Sequence, residues 1–234
     1  MPRRALLLVV LLVLGAGCGP SDEQSASPSR TPAAPSQPTS PGSSSANPTA
    51  RAAIPLGETV GEPLAGGRYT HDGFEPTITF EANGSWQAVQ LHDGFFDIQH
   101  DPGSTDVIAV QFANVDAVYG ADPVAPIAVT SIEDAVAVFA DNPRIDVIEE
   151  SGSRIGGLEG SNVVVENTGT ADASVLRVPP GPLAISPDRR LWISLFDTPD
   201  GVLAIMVGGS VAGWDAALEA AEPVLESVVV SASR

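Results

Sequence analysis

The sequence predicts an α+β domain, a largely antiparallel sheet covered by helices, set behind an export leader and a disordered tether. Three observations predict it. The periodic segments run strands, helix, strands, helix, without the strict strand-helix alternation of a parallel sheet. Two segments joined by Pro199-Asp200-Gly201 are apolar on both faces, so they belong at the centre of a sheet covered on two sides. Residues 21–53 are mostly Ser, Pro, Thr and Ala and cannot bury enough apolar surface to fold.

The chain begins with Arg3 and Arg4, an apolar run from Ala5 to Leu14, and then Gly15-Ala16-Gly17-Cys18. A charged start, a short apolar stretch and small residues describe an export signal over residues 1–17. The run is about half of what a membrane-spanning helix needs. Small residues directly before the lone Cys resemble the lipobox of bacterial lipoproteins, although Leu14 lies four positions before Cys18 where that family prefers three. The resemblance implies that Cys18 becomes the acylated first residue of the mature chain. The other reading is a secretory signal with an incidental Cys. Acylation supplies about 0.8 kcal/mol per buried methylene, so two or three chains would hold the protein at a membrane. Residues 18–53 then form the tether, spanning roughly 30–35 Å as a flexible coil.

Residues 54–234 are read as one globular domain. In order, Thr77 to Phe80 alternates, Asn83-Gly84 signals a turn, and Trp86 to Leu91 resumes as strand, which predicts a hairpin over 77–91. Asp93-Gly94 signals a second turn leading into Phe95 to Gln99, and Val107 to Phe112 makes another strand. Ser131-Ile132-Glu133-Asp134 is close to a capping box, and Ile132, Ala135, Val136 and Phe139 follow at helical spacing up to the stop at Asn142-Pro143. Ile145 to Glu150 and Ser161 to Glu166 are strands around a Gly-rich connection. Asn167 to Arg189, rich in Pro and Gly, reads as irregular. Leu191 to Phe196 and Val202 to Val207 make the central hairpin. Trp214, Leu218, Ala221 and Leu225 line one face of a terminal helix that Pro223 kinks or restarts before Val228-Val229-Val230.

This succession resembles the PsbP-like fold, including bacterial lipoproteins of the LpqN type. The resemblance rests on Asn83-Gly84-Ser85-Trp86, the helix Ile132 to Ala140, Gly156-Gly157-Leu158-Glu159-Gly160, the hairpin Leu191 to Val207, and the closing Pro223-Val224-Leu225-Glu226-Ser227-Val228. It covers residues 65–234 and implies an α/β/α sandwich with a binding or assembly role.

Composition excludes several chemistries. All 11 basic residues are Arg, so no lysine serves a P-loop, a Schiff base or an S-x-x-K acyl enzyme. With Cys18 in the leader, the domain has no thiol nucleophile, no Cys-ligated zinc and no disulfide. From Ile54 onward there are 27 Asp and Glu against 7 Arg, since only Asp22, Glu23, Arg3, Arg4, Arg30 and Arg51 precede it. Nucleic acid and anionic headgroups are poor partners for such a charge.

All three His precede Asp: His71-Asp72, His92-Asp93 and His100-Asp101. The expected hairpins bring His71 near His92 and leave His100 apart. Asp93 and Asp97 stand about 13 Å apart along a strand and cannot share an ion. Asp-Gly turns with polar His at strand ends account for the pattern better than a metal, so no metal and no cofactor are expected. The Gly156 to Gly160 run leads into a strand and is a turn, not a phosphate loop. Gly208-Gly209-Ser210-Val211-Ala212 lacks the last Gly of a nucleophile elbow, and Ser210 is read as a cap of the terminal helix. Glu149 and Glu150 point to opposite faces of a strand and cannot cooperate in hydrolysis. Arg189-Arg190 is read as ending a strand and keeping its edge soluble, with anion binding as the alternative.

The expected function is that of an exported, membrane-anchored lipoprotein. Its domain would bind a protein or an apolar small molecule or lipid in the bacterial cell envelope, without enzymatic chemistry and without nucleic acid. The alternatives are an extracytoplasmic His/Asp hydrolase with a metal at His71 and His92, and a structural surface protein without ligand.

Overall fold

In the computed structural model, residues 52–122 and 124–231 are described. The expected export leader (1–17), Cys18 and nearly all of the expected tether (18–53) lie outside them. No described helix is long and apolar enough to cross a membrane.

The first described residues form a segment in which the sequence pattern marks no element. β1 (Ile54–Pro55) pairs in parallel with β2 (Gly67–Thr70), and a short 3-10 turn, Leu56–Glu58, lies between them. Leu56 and Leu64 are fully buried, which roots this segment in the core. β2 pairs antiparallel with β3 (Thr77–Ala82).

After β3 the expected hairpin over 77–91 does not form. The turn is present, with Trp86 N–H donating to the Asn83 carbonyl at 3.0 Å, but the chain uses it as a corner between sheets. β4 (Trp86–His92) pairs with β5 (Phe95–His100), not with β3. The reason is packing. Phe80 on β3 stacks on Phe96 and Phe112 with centroids 5.7 and 5.6 Å apart, so β3 lies across the face of the β4–β5 sheet instead of at its edge.

The Asp93-Gly94 hairpin is as expected, with His92 opposite Phe95 and Gly94 at φ 71°. β6 (Ile108–Val115) follows, then the short pair β7 (Ala117–Val118) and β8 (Ile127–Ala128). Helix α1 (Ile132–Ala140) starts where predicted, with the Ser131 hydroxyl accepting from Asp134 N–H. At its end the Asn142 amide donates to the carbonyls of Tyr119 and Ser174. β9 (Ile145–Ile155) and β10 (Leu158–Asn167) are joined at Gly156-Gly157, both at positive φ.

The stretch read as irregular holds a second hairpin. β11 (Ala173–Val178) and β12 (Gly181–Ile185) pair around Pro179-Pro180. Proline density disguised it, because in strands Pro is tolerated only at edges and ends, and β12 is an edge.

β13 (Arg189–Thr198) and β14 (Gly201–Ser210) form the long hairpin. The main sheet has the order β4-β5-β6-β14-β13-β10-β9, so β14 stands in the middle, as its two apolar faces required. α2 (Trp214–Ser227) is one helix that carries Pro223 inside it, rather than breaking there. Its buried face is Trp214, Ala217, Ala221 and Val224; Leu218 and Leu225, expected on that face, lie at its margin. β15 (Val229–Ser231) closes on β3.

Two cores result, one on each face of the main sheet. On one face Phe196, Leu203, Ile205 and Val207 meet α2 and the sheet β1-β2-β3-β15. On the other Ile193, Leu195, Ala204 and Met206 meet α1 and the sheet β12-β11-β7-β8. The architecture is α+β and mostly antiparallel. The covering layers are not purely helical, however, since each joins one helix to one small sheet.

Candidate functional site

The His-Asp pairs do not converge. The loop after β2 docks on the β4–β5 turn, with Gly94 N–H donating to the Gly73 carbonyl at 2.8 Å. His71 does approach His92, but its Nε2 lies 2.9 Å from the His92 backbone carbonyl, and its ring stands edge-on to Phe96. A nitrogen donating to a carbonyl is not a metal ligand. His100 is opposite Trp86 at the far end of the hairpin, with Nδ1 3.2 Å from the Asp101 carboxylate. Among the described residues no three His, Cys, Asp or Glu are grouped to hold a metal ion.

The other motifs are absorbed by packing. Arg190 donates to Glu166 through Nε and a terminal nitrogen, at 3.2 and 2.7 Å, and lies over the Trp214 ring. Arg189 donates to the carbonyls of Thr105 and Val107, and burial lowers the pKa of its guanidinium. This corrects the edge reading of Arg189-Arg190, because β13 is an inner strand flanked by β14 and β10. Ser210 does not cap α2. Gly213 is the N-cap, and the Ser210 hydroxyl accepts from Gly213 N–H and donates to Asp106. Gly208 and Gly209 point to opposite faces: a Cβ at Gly209 would lie 2.7 Å from the Ala217 Cβ, so that glycine admits α2. Glu149 and Glu150 are exposed on β9, at the edge of the main sheet. Cys18 lies outside the described residues.

The concave feature the sequence reading missed lies on the α1 side of the main sheet. There Gln90, Asp97, Gln111 and Met206 stand opposite one another on β4, β5, β6 and β14. Period-2 alternation turns Asp97 to the same face as Phe95 and Gln99. The β11–β12 hairpin rises beside this row and forms a wall of Val178, Pro180, Pro182 and Leu183. The cleft between has a volume of about 380 Å³. A second cleft of about 390 Å³ shares Gln111, Leu183 and Ala184 with it, and runs over Ala109 and Gly208 to Arg189. Two small residues on adjacent strands open this second floor.

Asp97 is 3% exposed. Its Oδ2 accepts from the Gln99 amide at 2.7 Å, whereas Oδ1 meets no protein donor in hydrogen-bonding geometry. Burial raises its carboxyl from the usual 3.8 to about 6, with the Gln99 and Gln111 amides favouring the charged form and limiting the rise. Asp97 is the one ionisable residue among those lining this cleft. Such a group can accept a donor or hold a cation. A facing second carboxylate, which glycoside hydrolysis requires, is not among the lining residues. The available signal was an acid inside Phe95-Phe96-Asp97-Ile98, a strand buried on both faces.

No family model matches this sequence, and no curated protein matches it. Among solved structures, the solution structure of cyanobacterial PsbP (CyanoP) from Synechocystis sp. PCC 6803 aligns at a TM-score of 0.42 and 12% identity, over 73% of this chain and 96% of that one. LpqN, involved in cell envelope biogenesis of Mycobacterium tuberculosis, aligns at 0.38 and 11%, over 70% and 91%. The Ran-binding protein Mog1p of Saccharomyces cerevisiae aligns at 0.38 and 7%, over 72% and 97%. Proteins of the PsbP and LpqN type are thus among those this chain is similar to, at values that assign neither family nor activity.

Proposed function

We propose that the chain is an exported lipoprotein, held at the outer face of a bacterial cell membrane by acyl groups on Cys18, whose domain binds a ligand without making or breaking bonds in it. The cleft carries this reading: a concave, mainly polar site, where three glutamines and one buried carboxylate converge opposite a proline-bearing hairpin, offers directed polar contacts to a small ligand. The Arg3 to Cys18 segment supports export and anchoring, and the Ser/Pro-rich stretch after it supports a domain carried off the membrane surface. Growth of the host with a fatty-acid analogue tests the anchor. The wild-type chain incorporates label and Cys18→Ala does not; label persisting on Cys18→Ala overturns it.

A further inference from the structure

We infer that the Asp97 cleft is a binding site for a primary ammonium group carried on an aliphatic stem, with the ammonium at Asp97 Oδ1 and the stem along the β11–β12 wall. The inference rests on the reading of the domain as a binding module and names its ligand class.

The carboxylate oxygen sets the first requirement. A buried acceptor without a protein donor is costly, and a ligand donor entering the cleft would supply the missing partner. The second requirement is charge. No basic side chain lines the cleft, and in the adjoining one Arg189 is engaged by the Thr105 and Val107 carbonyls and Arg190 by Glu166, so no free cation among these lining residues neutralises Asp97. A ligand cation does, and the acidic domain raises the local concentration of cations.

The lining selects among cations. Gln90, Gln99 and Gln111 line the cleft, and Gln99 spends an amide N–H on Asp97, which leaves its carbonyl oxygen as an acceptor suited to an ammonium, a group with three donors and no acceptor. A quaternary ammonium takes an aromatic face instead, and here the one aromatic lining residue, Phe95, is 2% exposed. On the hairpin side the exposed Pro180 and Pro182 and the half-buried Leu183 border the cleft, and a short stem can lie against them, a contact a bare metal ion does not use.

Calorimetric titration of the full chain in detergent at neutral pH, with n-pentylammonium chloride as probe and 1-pentanol as its neutral counterpart, decides the matter. The amine binds saturably and the alcohol about tenfold or more weaker, the effect of losing a hydrogen bond to a charged group. Asp97→Asn weakens the amine by a similar factor. Ala184→Trp, at an exposed position on the cleft rim, abolishes it while leaving the melting curve in place. Equal binding of alcohol and amine, undiminished binding by Asp97→Asn, or absence of saturable amine binding overturns the inference. Saturable, Asp97-dependent binding of a neutral disaccharide in place of the amine also overturns it, in favour of a hydroxyl-bearing ligand. These outcomes leave the Cys18 labelling result untouched, so failure of the ligand class and failure of the anchored reading are told apart.

Discussion

At Asp97 the fold holds a carboxyl at about 6 against its usual 3.8, chiefly by desolvation. A carboxyl that is a weaker acid when folded binds more protons in the native than in the unfolded chain between those values, so stability falls as pH rises through that window and the full penalty stands above it. A shift of two units is worth about 3 kcal/mol. Asp97→Asn therefore raises the unfolding free energy at pH 7 by about 1–3 kcal/mol, and urea melts show the gap to wild type closing as pH falls toward 4. A gap independent of pH contradicts the assignment. Arg190 shows the opposite arrangement: its guanidinium meets Glu166 and Trp214 together, so the charge is compensated where Asp97 is not.

Among the elements, the β9–β10 hairpin depends on close approach at one point. A Cβ at Gly160 would stand 2.0 Å from the Leu195 carbonyl oxygen and 2.8 Å from the Phe196 ring, and both belong to the sheet interior. The backbone oxygen cannot swing away, so Gly160→Ala forces β10 off β13 and costs about 1–3 kcal/mol in a thermal or urea melt. Gly157→Ala is strained for a different reason, its φ of 86°, although open space surrounds it. The element scale also explains the misplaced hairpin. Asn83-Gly84 carries a strong local turn signal, and the turn forms, but whether flanking strands pair or part is decided by the Phe80, Phe96 and Phe112 stack across the two sheets.

Across the whole molecule, acids far outnumber Arg, and the ion pairs among the described residues are few: Arg154 with Glu159 and Arg190 with Glu166. Self-repulsion between exposed carboxylates opposes the compact state and is screened by salt within about 10 Å at 0.1 M. Raising NaCl from about 10 mM to about 500 mM at pH 7.5 therefore raises the melting temperature by a few degrees; a flat or falling profile contradicts this.

What the sequence determined by itself was local. Alternation and helical spacing placed β5, β6, α1, β13, β14 and α2 near their observed positions, because a side chain's direction follows from its neighbours a few residues away. The doubly apolar β13–β14 pair even located the sheet centre. The tertiary structure alone decided which strand edges meet, since every strand offers the same hydrogen-bonding groups and only distant packing selects among them. The same holds for the cleft. Asp97 is one acid among many in the chain, and what sets it apart, burial at a cleft whose other side is a hairpin some eighty residues later, comes into being only in the folded molecule.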